Sequence, residues 1–199
     1  MKILFQGDSI TDAARLNSKD GLGTGFVKII KEKYPNLEII NKGISGNRTH
    51  DLLFRWDEDT INIKPDFLVL LAGINDIWHK YLHNKPTNYE EFTINYRSLI
   101  EESINKIPNV KIILIEPFAL PIGKYDKSWD EELKLQQKIV GKLANKYDLP
   151  LIKMQSIIND NLRKYKMEEI LYDGIHPSDQ GHKIIAESII NSLEKTINQ

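Results

Sequence analysis

The sequence predicts a three-layer α/β/α sandwich on a five-stranded parallel sheet with strand order 2-1-3-4-5. Three observations carry that prediction. Short apolar runs alternate with longer stretches of helical spacing from end to end, the pattern of strand–helix–strand units. The run over residues 66–72 (DFLVLLA) is apolar almost throughout, as a central strand covered on both faces must be. Five strands beginning with the chain itself fit the order named.

The first strand, residues 2–6 (KILFQ), stops at Gly7-Asp8-Ser9-Ile10-Thr11, where the glycine marks an abrupt turn. Residues 12–25 read as a flexible polar loop. Its Gly21-Leu22-Gly23-Thr24-Gly25 follows no strand and lacks the spacing of a dinucleotide loop. Phe26, Val27, Ile29, Ile30 and Tyr34 then take helical spacing, ended by Pro35. A second strand over 37–41 (LEIIN) leads into Gly43-Ile44-Ser45-Gly46-Asn47, and Leu52, Leu53, Trp56, Thr60 and Ile63 mark the next helix. The third strand ends in Gly73-Ile74-Asn75-Asp76. A helix over 89–107, a strand over 110–115, a helix over 130–147 and a short strand over 149–152 complete the alternation. A helical segment over 156–165, a loop to Pro177 and a last helix from Ser178 follow. In that last helix Ile185, Ile189, Leu193 and Ile197 share one face. With no repeat and no linker-like stretch, residues 1–199 read as a single domain.

Composition narrows the function. Hydrophobic residues at 41% and charged residues at 28% are those of a soluble globular protein. A net charge of −1 gives no electrostatic reason to expect nucleic acid or an anionic membrane as partner. The absence of cysteine excludes disulfides and thiolate metal sites. No basic, apolar leader opens the sequence, and no apolar run nears the ~18–20 residues that span a bilayer, so a cytoplasmic protein is expected.

In the flavodoxin-like order 2-1-3, the loops after strands two, one and three are neighbours at the carboxyl edge, where ligands bind. Those loops carry Gly46, Ser9 and Asn75. A serine on a sharp turn at a strand end presents its hydroxyl bare, as a nucleophile needs. The amides of Ser9 and Gly46 and the side-chain amide of Asn75 are donors suited to the oxyanion of a tetrahedral acyl intermediate. Glycine at position 46 would also leave the substrate oxygen's approach open. A base is available in Asp173-Gly174-Ile175-His176-Pro177, because a carboxylate three residues before a histidine can turn back onto Nδ1 and free Nε2 for the serine. The segment follows strand five, so it must reach back across the sheet, and residues 153–172 supply the length.

Each residue taken alone has an ordinary reading as a turn or cap. Convergence on one edge in mutually useful roles favours catalysis. Ser45, at the sheet edge, is a weaker rival for the nucleophile. His79 and His83 have zinc-like i, i+4 spacing but lack a convincing third ligand, so they read as a solvated helix face and no metal is predicted. Trp78 and Tyr81 are candidate substrate contacts.

At these residues the chain resembles the SGNH hydrolases, the GDSL esterase/lipase superfamily. Its four blocks appear as Gly7-Asp8-Ser9-Ile10, Gly46 within residues 41–46, Gly73-Ile74-Asn75-Asp76, and Asp173-Gly174-Ile175-His176. The resemblance implies that fold, with Ser9 as nucleophile, His176 as base oriented by Asp173, and Gly46 and Asn75 as oxyanion donors. Leu22-Gly23-Thr24-Gly25, residues 41–47, Arg55-Trp56 with Glu58-Asp59, Lys64-Pro65-Asp66, and Trp78 and Tyr81 are similar to patterns of intracellular bacterial acetylxylan esterases. That likeness implies a cofactor-free serine esterase acting on a small acylated substrate, an acetylated sugar or short xylo-oligosaccharide, and a homo-oligomer. A lysophospholipase or short-chain thioesterase is the alternative on the same site. A flavodoxin-like phosphate- or nucleotide-binding protein is the alternative from another class. Residues 120–132 (LPIGKYDKSWDEE), the candidate lid, are charged and broken by Pro121 and Gly123, which argues against a lipid-directed enzyme. Tyr125 and Trp129 join Trp78 and Tyr81 as aromatics expected near the sheet's carboxyl edge.

Overall fold

The computed structural model describes residues 1–83 and 87–197. In chain order it runs β1 (Lys2–Gly7), α1 (Ser9–Asp12), α2 (Phe26–Lys33), β2 (Glu38–Asn41), α3 (Thr49–Phe54), β3 (Phe67–Leu71), α4 (Ile74–His83) and α5 (Tyr89–Lys106). It continues with β4 (Lys111–Ile115), α6 (Asp130–Lys146), β5 (Leu151–Ile152), α7 (Met154–Asn161), α8 (Met167–Ile170) and α9 (Asp179–Ile197). All neighbouring strands are parallel and the order is β2-β1-β3-β4-β5. The predicted topology is the observed one.

Strand alternation sorts the core into two layers. Ile3 and Phe5, then Phe67, Val69 and Leu71, then Ile113 and Ile115 point to one face, where Phe26, Val27 and Ile30 of α2 and Ile185, Ile189 and Leu193 of α9 cover them. Leu4, Leu68, Leu70, Ile112 and Leu114 point to the other, under Leu52 of α3, Tyr96 and Leu99 of α5, and Val140 and Leu143 of α6. Every β3 residue is buried, which is why that strand reads as one unbroken apolar run. Trp56, just after α3, is fully buried and its indole N–H donates to Ser103 Oγ of α5 at 3.1 Å. Among the described residues no helix is long and apolar enough to cross a membrane.

Some local expectations change. The stretch after the first turn is tied down by hydrogen bonds, and Arg15–Asn17 forms a 3-10 turn. Helix α7 begins two residues earlier than expected and ends at Asn161. The candidate lid is part of the body of the protein: Tyr125 and Trp129 are 4% and 3% exposed. They pack edge to face at 5.4 Å within the core beneath α4, and neither lines the cleft beside Ser9; Tyr125 borders a separate hollow with Ala119, Leu120 and Pro121.

Candidate active site

The site begins with the turn after β1. A Cβ on Gly7 would lie 2.3 Å from the Leu71 carbonyl oxygen and 2.4 Å from Thr11 Oγ1, so only glycine lets β1 turn this close to β3. Asp8 then caps α1, its Oδ1 accepting the Ile10 N–H at 3.0 Å. Ser9 is thereby set at the carboxyl edge of the sheet, with its Oγ 2.9 Å from His176 Nε2.

The histidine segment reaches back across the sheet top after α8. Leu171 and Pro177 form an antiparallel bridge, and the Tyr172 N–H donates to the His176 carbonyl at 3.0 Å, closing a tight loop around Asp173. Asp173 Oδ2 is 2.8 Å from His176 Nδ1, and its Oδ1 accepts the backbone N–H groups of His176 at 2.7 Å and Ile175 at 3.1 Å. Burial works against the charge of this carboxylate. The bonds from the His176 amide and ring and from Lys124 outweigh it and hold the group down to about 2. Asp173 is therefore ionised at neutral pH and can fix the ring's tautomer.

The neighbouring loops present the other predicted residues. Gly46 has φ 83° and a Cβ built on it would meet nothing within 4 Å, so its backbone conformation demands glycine while the space beside it is open. Asn75, first turn of α4, donates from Nδ2 to the Asn47 carbonyl at 3.2 Å, placing its amide against the Gly46 loop. Asn41 braces that loop from below, donating to Thr11 O at 2.7 Å and Leu22 O at 2.9 Å while accepting the Gly43 N–H at 2.9 Å. The structure thus joins Ser9, His176 and Asp173 by direct contact and sets Gly46 and Asn75 on adjoining loops.

Two acids lie beneath. Asp8 is fully buried, and burial pushes its carboxyl up to about 7 against the Ile10 bond, with the Asp76 charge adding to the rise. Burial also raises Asp76, to about 6, against bonds from Thr49 Oγ1 at 2.7 Å and Thr49 N–H at 3.1 Å. His182, beside the histidine loop, accepts the Phe26 N–H on Nδ1 at 3.2 Å. Burial lowers it to about 4 despite the Asp179 carboxylate, and His176 contributes to the fall.

Other candidates fall away or change place. The Ser45 hydroxyl donates to Asp12 Oδ2 at 2.6 Å and is engaged there, not with a base. The His79 and His83 rings meet edge to face at 5.0 Å, and among the described residues no group of three or more His, Asp or Glu forms a metal cluster. Trp78 lies 5.8 Å from the His176 ring. Tyr81 instead stacks on Trp129 at 5.1 Å and bonds Glu132, away from the cleft. The structure adds Tyr172, which the sequence reading passed over: 60% exposed, its ring lies 5.9 Å from that of His176 and within 19° of parallel. Its position next to Asp173 was the available signal. A cleft of about 440 Å³ opens beside Ser9, lined by Ala13, Thr24, Ser45, Tyr172, His176 and His182 among others. A hydroxyl, an imidazole and an ionised carboxylate in sequence at hydrogen-bond distance can activate the hydroxyl for attack on a carbonyl.

Residues 5–184 match the GDSL-like Lipase/Acylhydrolase family. An acetylxylan esterase of Geobacillus stearothermophilus is 34% identical over 208 residues, covering 96% of this chain and 93% of its own. An isoamyl acetate-hydrolyzing esterase of Saccharomyces cerevisiae is 24% identical over 97% of this chain and 86% of its own. The solved structure of an acetyl xylan esterase variant from G. stearothermophilus superposes with a TM-score of 0.84 at 32% identity, over 96% of this chain and 93% of that one. Solved catalytic mutants of that enzyme replace a serine, an aspartate and a histidine. An α/β hydrolase from the Lake Arreo metagenome superposes with a TM-score of 0.85 at 25% identity, over 96% of this chain and 93% of that one. The chain belongs to the GDSL-like lipase/acylhydrolase family, within the SGNH superfamily, and is a carboxylic ester hydrolase.

Proposed function

We propose that this esterase removes short acyl groups, acetyl foremost, from sugars or xylo-oligosaccharides, using Ser9, His176 and Asp173. The observation that carries the reading is the continuous relay from Ser9 Oγ to His176 Nε2 at 2.9 Å and from His176 Nδ1 to Asp173 at 2.8 Å. Ser9 Oγ attacks the ester carbonyl while its proton passes to Nε2. The oxyanion is held by the amides of Ser9 and Gly46 and by Asn75 Nδ2, where loss of one donor typically costs about 3–4 kcal/mol of transition-state stabilisation. As the ester C–O bond breaks, Nε2 returns the proton to the departing alcohol. Water then attacks the acyl-serine, giving its proton to Nε2, and the acid leaves as Ser9 recovers its own.

The substrate rests on two supports. Both curated relatives above carry names that refer to acetate esters, of a polysaccharide in one case and of isoamyl alcohol in the other. The exposed Tyr172 ring beside His176 offers a flat face of the kind that packs on the C–H side of a pyranose. The test is acetate release from acetylated xylo-oligosaccharides beside p-nitrophenyl acetate. The wild type turns over both, Ser9→Ala turns over neither while keeping its melting temperature, and Ser45→Ala retains most activity. A Ser9→Ala protein that keeps wild-type rates would remove the nucleophile assignment. A wild type that cleaves p-nitrophenyl acetate but no sugar acetate would remove the substrate.

A further inference from the structure

The loop after β4 has a role beyond packing. Leu120 N–H donates to the Gly174 carbonyl and Lys124 N–H to the Asp173 carbonyl, each at 2.8 Å, so residues 120–124 are fastened to the backbone of the histidine loop. That attachment carries the Lys124 ammonium to 3.1 Å from Asp173 Oδ2. The same oxygen is 2.8 Å from His176 Nδ1. Lys124 Nζ also lies 5.6 Å from the centre of the Trp78 ring, which is itself beside His176. One carboxylate oxygen is thus shared between a permanent cation and a ring that becomes a cation during turnover.

We infer that Lys124 is a positioning residue of the relay, one that opposes protonation of His176 through their common partner and so extends esterase activity to lower pH. The inference rests on the proposed triad. When the Ser9 proton reaches Nε2, Asp173 stabilises the resulting imidazolium, and Lys124 draws on that same negative charge. Free enzyme in acid meets the same competition: a ring that is harder to protonate stays available as base to lower pH. The other groups around His176 do not supply this effect. Tyr172 stacks on the ring without charge, and Ser9 faces Nε2. From α9, His182 is held neutral by burial, and Asp179 lies exposed on the rim of the cleft with the opposite sign. Lys124 is half exposed, so its influence must weaken with salt. A surface ion pair that only braced the loop would leave the pH profile in place.

The experiment compares kcat/KM for p-nitrophenyl acetate against pH in the wild type, Lys124→Met, Lys124→Gln and Lys124→Arg, at low salt and in 1 M NaCl. At low salt the acid limb of the Met and Gln variants moves up by about half a pH unit, roughly a threefold loss on the limb, without a fall in the plateau. Lys124→Arg keeps the wild-type limb. Salt moves the wild-type limb towards that of Lys124→Met and leaves the Met variant where it was. Unmoved limbs in folded Met and Gln variants, or equal salt shifts with and without the lysine, would overturn the inference. His176→Ala separates the two levels: if it retains wild-type turnover the triad itself is wrong, whereas a dead His176→Ala beside an unmoved Lys124→Met removes only the role of Lys124.

Discussion

Asp8 sits directly before Ser9, fully buried, with one oxygen capping α1 and the other accepting no hydrogen bond. Its neighbour Asp76 is bonded at both oxygens, so of two buried acids that feel each other's charge, Asp8 is the one that keeps a proton more readily. A carboxyl raised to about 7 in the folded chain, against about 4 in the unfolded one, contributes stability that is present below about pH 4 and lost as pH rises through 7. Asp8→Asn keeps the oxygen that caps α1 and removes the ionisation. Relative to the wild type, the variant should therefore gain about 1 kcal/mol or more between pH 5 and pH 8, read from urea unfolding at each pH. An offset of equal size at both values would mean that packing, not titration, set the difference. His182 works with the opposite sign. Lowered to about 4, it contributes stability that is present above its unfolded value and lost as pH falls through 4, so acid unfolding draws on this group.

The loops after β1, β2 and β3 meet the histidine segment at the site, and Arg55, at the end of α3, ties the first two of them together. Its Nε donates to Asn47 Oδ1 at 2.8 Å and its Nη2 to the Gly7 carbonyl at 3.4 Å, while Nη1 is anchored on Asp59 at 2.9 Å. Asp59 in turn holds Lys42 at 2.8 Å, on the segment that leads to Gly46. Only a planar guanidinium spans those three partners at once. Arg55→Ala should lower kcat about 10–100-fold with little change in KM, because donors displaced by a fraction of an ångström lose mainly what they give the transition state. Arg55→Lys should recover a minor part, and a KM effect with kcat intact would take Arg55 out of the support of the proposed oxyanion donors. The sequence shows Arg55-Trp56 as a pattern without showing this purpose, and the division is general in this molecule. Strand order and the Ser9, Asn75, Asp173 and His176 positions are legible because apolar periodicity and short spacings are local properties. What Arg55 and Lys124 touch depends on loops meeting across more than forty residues of chain, and no spacing rule encodes that. The same holds for Tyr125 and Trp129, whose aromatic character fits a pocket wall or a core equally until the tertiary packing chooses the core.

At the scale of the molecule, the sheet's carboxyl edge carries an open polar cleft, and the segment expected to cover it is anchored in the core. Association belongs to this scale too. The likeness to acetylxylan esterases leads us to propose a homo-oligomer, for which sedimentation at micromolar concentration should give a multiple of the single-chain mass; the single-chain mass would count against it. Substrate choice follows from the cleft. A long acyl chain needs continuous apolar cover near the nucleophile, worth about 0.8 kcal/mol per methylene buried. The cleft walls beside Ser9 include Thr24, Ser45, Ser178 and Asp179, and the apolar surface is limited to the small side chains of Ala13 and Ala14, Pro177 and the exposed ring of Tyr172. Extending the acyl group from acetyl to octanoyl should therefore gain little binding and lose rate, with kcat/KM falling steeply along the series. The alcohol side should behave differently. Replacing Tyr172 by Ala should cost at least about tenfold more on an acetylated xylo-oligosaccharide than on ethyl acetate, since only the sugar has a ring to set against the tyrosine. Tyr172→Trp should restore the difference. Equal losses on both substrates would place Tyr172 in the support of His176, and efficiency rising towards octanoyl would assign the protein to lipid-like esters instead.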